Sequence, residues 1–239
     1  MKHEIQINVP TNLEGITLGQ YQKYLEVSKD VDTDTEDGAR FITIKILEIF
    51  CGMSSKDIHL LPLKVFDVAV AQVMNCLSET TPLIHQFTMR GTDGVEIEFG
   101  MIPKLDDMSF GEYIDLDSTI TDWKNMHKAM AVLFRPITKQ KGEFYDILPY
   151  NGYLDYMDLM KYMPLNVALG ALVFFYRLGT KLSKLTINSL MNHLTEEERL
   201  QVENRFLDKS GVGINQFMQS LEGTYLSLIQ LRNNRSTLV

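Results

Sequence analysis

MSFGEYIDLD, residues 108–117, repeats a phrase that the chain has already written as ITLGQYQKYL at residues 16–25. Both run hydrophobe, Thr or Ser, hydrophobe, Gly, Gln or Glu, Tyr. In each, the hydroxyl residue (Thr17 or Ser109) stands three places before Gln20 or Glu112. That is capping-box spacing: the hydroxyl accepts the backbone N–H of the third helical residue, whose side chain reaches back to the N–H of the cap. Each phrase therefore starts a helix. Leu18 and Phe110 fall in the first turn, and Tyr21 with Leu25, or Tyr113 with Leu116, are spaced to lie on one buried face. Two origins stay open: an internal repeat of a small helical unit, or two helix starts written in one idiom. Neither predicts catalysis.

Outward from these phrases the chain reads as mainly α with a small antiparallel β-hairpin or three-stranded sheet, an α+β fold. ARFITIKILEIFCGMS carries apolar residues around much of a helical circumference, which predicts a central helix ended by Gly52. KVFDVAVAQVMNCLS follows Pro62 with a 3.6-residue rhythm. Further helices are expected at about 120–134, 154–161, 165–184, 186–193, 196–208 and 214–232, punctuated by Pro136, Pro149 and Pro164. LIHQFTM and VEIEFGMI flank RGTDG, where Asp93-Gly94 supplies the positive backbone angle of a tight turn. EIQINV alternates at Ile5, Ile7 and Val9 and predicts a short half-buried strand, a candidate third partner for that hairpin. The expected division is an N-terminal helical unit with the small sheet, 1–104, and a C-terminal helical unit, 105–239, or one continuous domain across both.

Charge and composition narrow the function classes. A net charge of −8, from 31 acidic against 23 basic residues, disfavours a protein that neutralises phosphates along a basic face, so no nucleic-acid partner is expected. Residues 165–176 are apolar but shorter than the roughly 20 residues of a membrane span, and MKHEIQINVP lacks the pattern of a secretory signal. No membrane partner is expected and the chain reads as cytoplasmic. Cys51 and Cys76, without metal-finger spacing, read as reduced core thiols.

Four constellations bear on chemistry. Asp30, Asp32 and Asp34 imitate the first ligands of a calcium loop, but Thr35 stands where the turn glycine belongs and Phe41 where the bidentate glutamate belongs. An acidic linker, available to a basic partner, is the better reading. Glu112, Asp115 and Asp117 are raw material for acid–base or metal-assisted hydrolysis, and equally are acids that a helix start favours. His3, His59, His85, His127 and His193 are scattered, so no metal and no cofactor is expected. Nucleotide and nucleophile-elbow motifs are lacking. Finally Trp123, Met126, Met130, Leu133 and Phe134 form one stripe ending at Arg135. Core packing explains such a stripe, yet 13 methionines, 12 phenylalanines and 10 tyrosines also suit adaptable binding surfaces. Trp123, Met126, Met130, Phe134 and Arg135 are accordingly the candidate protein contacts. The segments EEERLQVENRFLDK and INQFMQSLEGTYLSLIQLR carry apolar seams suited to the domain or to another subunit.

ITLGQYQKYL, FGMIPKLDDMSFGEYIDLD, MHKAMAVLFRPI and ALVFFYRLG together resemble a group of tailed-bacteriophage morphogenesis proteins of the tail or baseplate region, some described as tail assembly chaperones. The likeness covers roughly residues 16–180. It implies a non-enzymatic role in virion assembly through contact with other phage tail or portal proteins, or with further copies of itself. The site of action would be the host cytoplasm during assembly, or the virion if the protein is retained there. The alternatives are a hydrolase using Glu112, Asp115 and Asp117, and a host-takeover protein that binds a cellular regulator through the acidic segment 30–37.

Overall fold

The structure, a computed structural model, describes residues 6–91 and 94–176. The fold is α+β, with helices packed around and beside a four-stranded antiparallel sheet. Helices expected at 186–193, 196–208 and 214–232 lie outside the described residues, as do His3 and His193.

The first repeated phrase forms α1 (Leu18–Ser28), opened by the full capping box of Thr17 and Gln20. Leu18, Tyr21 and Tyr24 are buried. An exposed turn leads into α2 (Glu36–Phe50), in which the acidic segment does more than link. Thr35 caps the helix by accepting from the Gly38 N–H, while its own hydroxyl donates to the Asp32 carbonyl at 2.8 Å. Glu36 and Asp37 then occupy the first turn, where the helix dipole favours them. Gly52, at φ +66°, takes the left-handed conformation that ends the helix, as expected. A short α3 (Ser55–His59) and α4 (Leu63–Leu77) follow.

β1 (Gln86–Arg90) and β2 (Glu96–Met101) make the expected hairpin, with Gly94 at φ +81° in its turn. Phe87 pairs with Phe99 and Met89 with Ile97 on the inner face, and Arg90 with Glu96 on the outer one. The third strand is not the N-terminal segment. Residues 6–10 form no strand; Ile7 and Val9 pack inward, but the Pro10 carbonyl accepts from Gln72 Nε2 and Cys76 Sγ of α4. Among the described residues of this segment the alternation of Ile7 and Val9 reports inward packing with no strand beside it.

β3 (Phe134–Lys141) and β4 (Phe144–Ile147) complete the sheet in the order β1-β2-β3-β4. β3 lies where the pattern predicts the end of a helix and a proline stop, and β4 in a stretch for which it predicts no element. α5 (Phe110–Thr119) and α6 (Met126–Leu133) precede them, and α6 runs into β3 with no intervening loop. Pro136 sits inside β3, which sequence rules disfavour. Its carbonyl accepts from the Leu148 N–H at 2.9 Å, just past the end of β4. The missing Pro N–H faces that same side, where the ladder has stopped. Gly142, at φ +64°, allows the tight return to β4. The Tyr145 ring of β4 then lies over Gly100, where a Cβ would collide with it, and its hydroxyl donates to the Met101 carbonyl at 2.9 Å.

α6, rather than α2, is the helix enclosed on nearly all sides: Met126, His127, Ala129, Met130, Ala131, Val132 and Leu133 are buried. The helix expected at 154–161 is instead a run of turns with a 3-10 turn at Leu159–Tyr162. α7 follows at 165–176, the last described residues, as far as the expected helix from 165 can be followed. No helix of the described residues is long and apolar enough to cross a membrane.

Two backbone hydrogen bonds lash the starts of α1 and α7 together, Leu18 N–H to Met163 O at 2.9 Å and Leu165 N–H to Ile16 O at 2.8 Å. One cluster of buried side chains extends from Leu13 to Leu172, and β2 pairs with β3 across the division expected at residue 104. The two halves therefore share a core within the described residues.

The glycines of the two phrases are not equivalent. A Cβ on Gly19 would lie 2.9 Å from the Lys161 carbonyl, whereas one on Gly111 meets only a Tyr150 ring carbon at 3.9 Å. Gly19→Ala is expected to destabilise the protein by about 1–3 kcal/mol through overpacking. Gly111→Ala is expected to be neutral or stabilising by up to about 1 kcal/mol. Urea midpoints of the two variants check this.

Candidate protein-contact site

The second phrase builds the site. Ser109 and Glu112 form a complete capping box at the start of α5, as Thr17 and Gln20 do for α1. The third helical residue does a second job in both. Gln20 takes the Thr17 N–H on its oxygen at 2.8 Å and gives its amide N–H to the Ile49 carbonyl at 2.9 Å. Glu112 takes the Ser109 N–H on Oε2 at 2.6 Å and the Arg135 guanidinium on Oε1 at 2.5 Å. The residue type follows from the neighbour: a carbonyl needs a donor, hence Gln, and a guanidinium needs an acceptor, hence Glu.

Glu112 and Arg135 are 5% and 8% exposed, so this is a buried ion pair tying the start of α5 to the start of β3. The Arg135 guanidinium also stacks over the Tyr150 ring at 5.3 Å, and the Tyr150 hydroxyl donates to Asp115 Oδ2 at 2.5 Å. Burial pushes the Glu112 carboxyl up, but hydrogen bonds from Ser109 and the charge of Arg135 outweigh it and hold the group below its ordinary range. Burial and the Asp115 hydrogen bond push the Tyr150 phenol up, so it stays protonated and donating. Arg135 Nε is buried with no hydrogen-bond partner.

With Glu112, Leu116 and Thr119 facing inward, the opposite face of α5 is forced outward. It presents Phe110 at 78% exposure, Tyr113 at 58% and Ile114 at 47%. Positions 110, 113, 114 and 117 form one helical stripe, so the face is apolar with Asp117 at its far end. This corrects the expectation that Tyr113 shares a buried face with Leu116. In α1 the counterparts Leu18 and Tyr21 are 0% and 5% exposed.

The candidate contacts of the sequence reading lie elsewhere. Trp123, Met126, Met130, Phe134 and Arg135 are all buried, the first four within the core cluster and Arg135 in its ion pair. They pack the chain against itself: Trp123 meets the Tyr21 ring at 5.1 Å and Phe134 meets Phe87 at 5.4 Å. They present no surface to a partner. The three acids of the hydrolase alternative do not converge on one cleft either. Both oxygens of Glu112 are engaged, Asp115 accepts from Tyr150, and Asp117 is exposed on the outer stripe. No group of three or more His, Cys, Asp or Glu side chains arranged to hold a metal occurs among the described residues. His59 and His85 are exposed, while His127 is buried with Nδ1 3.1 Å from Gln22 Nε2. Both cysteines are free, and burial pushes the Cys51 thiol up to about 11.

A second apolar ridge, formed by Leu60, Leu63, Val65 and Val68 around the start of α4, is also exposed. Compared with known proteins, the chain matches no family model, no curated protein and no solved structure.

Two outcomes follow from the buried pair. Glu112→Gln leaves the cap acceptor but strands the Arg135 charge, and is expected to cost about 3–5 kcal/mol; the double variant Glu112→Gln/Arg135→Met is expected to cost less than the single one, as urea denaturation would show. The second concerns pH. Glu112 lies below its ordinary range, and burial followed by the nearby Lys161 and Lys128 charges also holds His127 below its own, against the pull of Asp158. A depressed folded pKa means stability that is complete above the unfolded value and lost as pH falls through the folded one. The denaturation midpoint is therefore expected to decline below about pH 6.5 and again below about pH 4.3. In Glu112→Gln the second decline shrinks.

Proposed function

We propose that this chain is a non-enzymatic protein-contact component of virion morphogenesis, of the tailed-phage tail or baseplate class that its phrasing resembles, and that α5 carries a principal contact. One observation supports this most directly: the second repeated phrase exposes Phe110 and Tyr113, whose counterparts Leu18 and Tyr21 in the first phrase are buried, and adds exposed Ile114 beside them. Exposed apolar residues are ordinary singly, whereas three on one helical stripe mark a surface that gains by being covered. The face is also held stiffly. The helix beneath it is capped, ion-paired and buttressed by Tyr150, so little ordering would be required on association. A chaperone would cover such a surface transiently with an unassembled tail protein, and a retained component would bury it for good.

Mass spectrometry of purified particles separates these roles: a stoichiometric amount indicates a retained component, and absence from particles with co-purification from infected cells indicates an escort. Phe110→Ser/Tyr113→Ser is expected to fold with an unchanged thermal midpoint and to lose co-purification with tail or portal proteins by more than about tenfold. If no particle protein ever accompanies the wild-type chain, the proposal fails.

A further inference from the structure

We infer that the outer face of α5 receives an amphipathic helix of another protein whose apolar stripe is bracketed by lysine or arginine. This rests on the protein-contact reading and specifies the partner's chemistry. The face is an apolar strip with acids at both ends. Asp106 and Asp107, both exposed, occupy the 3-10 turn immediately before the Ser109 cap, and exposed Asp117 ends the stripe that begins at Phe110. Among the described residues none of the three is in an ion pair, and Lys104 is the one basic residue in the segment 104–119.

Charges of one sign at both ends of an apolar strip favour a partner with the opposite sign at both ends of its own. The ten residues of α5 span about 15 Å, which accommodates a partner helix of about three turns. Its anchors at i, i+3 and i+4 would interleave with Phe110, Tyr113 and Ile114. Against a bilayer or a nucleic acid the same acids work the other way, since both surfaces are negatively charged. A helical protein segment is therefore the occupant the charge pattern selects.

The test uses the full chain and two synthetic helical peptides with the same leucine pattern, one with Lys and one with Glu at the flanking positions, followed by fluorescence anisotropy. The Lys peptide is expected to bind and the Glu peptide to bind more than about tenfold more weakly. Phe110→Ser/Tyr113→Ser/Ile114→Ser should abolish binding of the Lys peptide. Asp106→Asn/Asp107→Asn/Asp117→Asn should weaken it roughly tenfold and flatten its salt dependence. Circular dichroism on both variants confirms the fold, since neither alters a buried side chain. Equal binding of the Lys peptide by the triple apolar variant would mean general attraction to an acidic protein and would overturn the inference. So would failure of both peptides to bind, or binding to anionic vesicles in preference to the Lys peptide. If the peptides fail while the apolar variant still loses its particle proteins in infected cells, the protein-contact reading stands and the basic partner falls.

Discussion

The buried pair of Glu112 and Arg135 decides how α5 sits on the rest of the molecule. Two charges taken out of water are costly, and the cost is offset only by good geometry and by partners for the remaining polar atoms. Glu112 meets that condition through the cap N–H of Ser109; Arg135 meets it only in part, stacking on Tyr150 while its Nε stays without a hydrogen-bond partner. Each of these contacts also orients something. The cap fixes where the helix begins, the pair fixes which way it is rotated, and the Tyr150–Asp115 bond holds its middle. Rotation is the consequential part: because Glu112 must point at Arg135, Phe110 and Tyr113 must point away.

Much of the fold was legible in the sequence, and for definite reasons. Both capping boxes were readable because their chemistry is local, and the β1–β2 hairpin because Gly94 and the flanking alternation are local too. β3 and β4 escaped because Pro136 argued for a stop. The proline is tolerated through an accident of register, its nitrogen facing the place where β4 has ended, and register is invisible in one segment alone. The false N-terminal strand had the opposite cause. Alternating burial is a signature of strands, but an extended chain packed on a core shows it too, as Ile7 and Val9 do here with α4 bonded to the Pro10 carbonyl that follows.

The site was less legible than the fold. Helical spacing assigned Tyr113 to the interior and nothing in it marked Glu112 as buried; the structure puts Tyr113 outside and Glu112 inside. The available signal was weak: the apolar positions of FGEYIDLDST divide into Phe110, Tyr113 and Ile114 on one side and Leu116 on another, and the pattern does not say which side meets the core. What could not be read was the position of Arg135, on a different element, which supplies the countercharge that allows a glutamate inward. The Met and aromatic stripe from Trp123 to Phe134 misled for a related reason. A helix enclosed on all sides and a helix kept for a partner look the same until the enclosing strands are placed.

The direct passage from α6 into β3, Leu133 to Phe134, has a mechanical consequence. A loop would act as a swivel and absorb a twist of the helix; its omission makes α6 and the central strand a single torsion rod. Arg135 is the second residue along that rod's strand portion, so α5 is clamped close to the point where torque would arrive. A load applied to the outer face of α5 thereby reaches the axle of the molecule both through the Arg135 guanidinium and through the packing of α5 on α6.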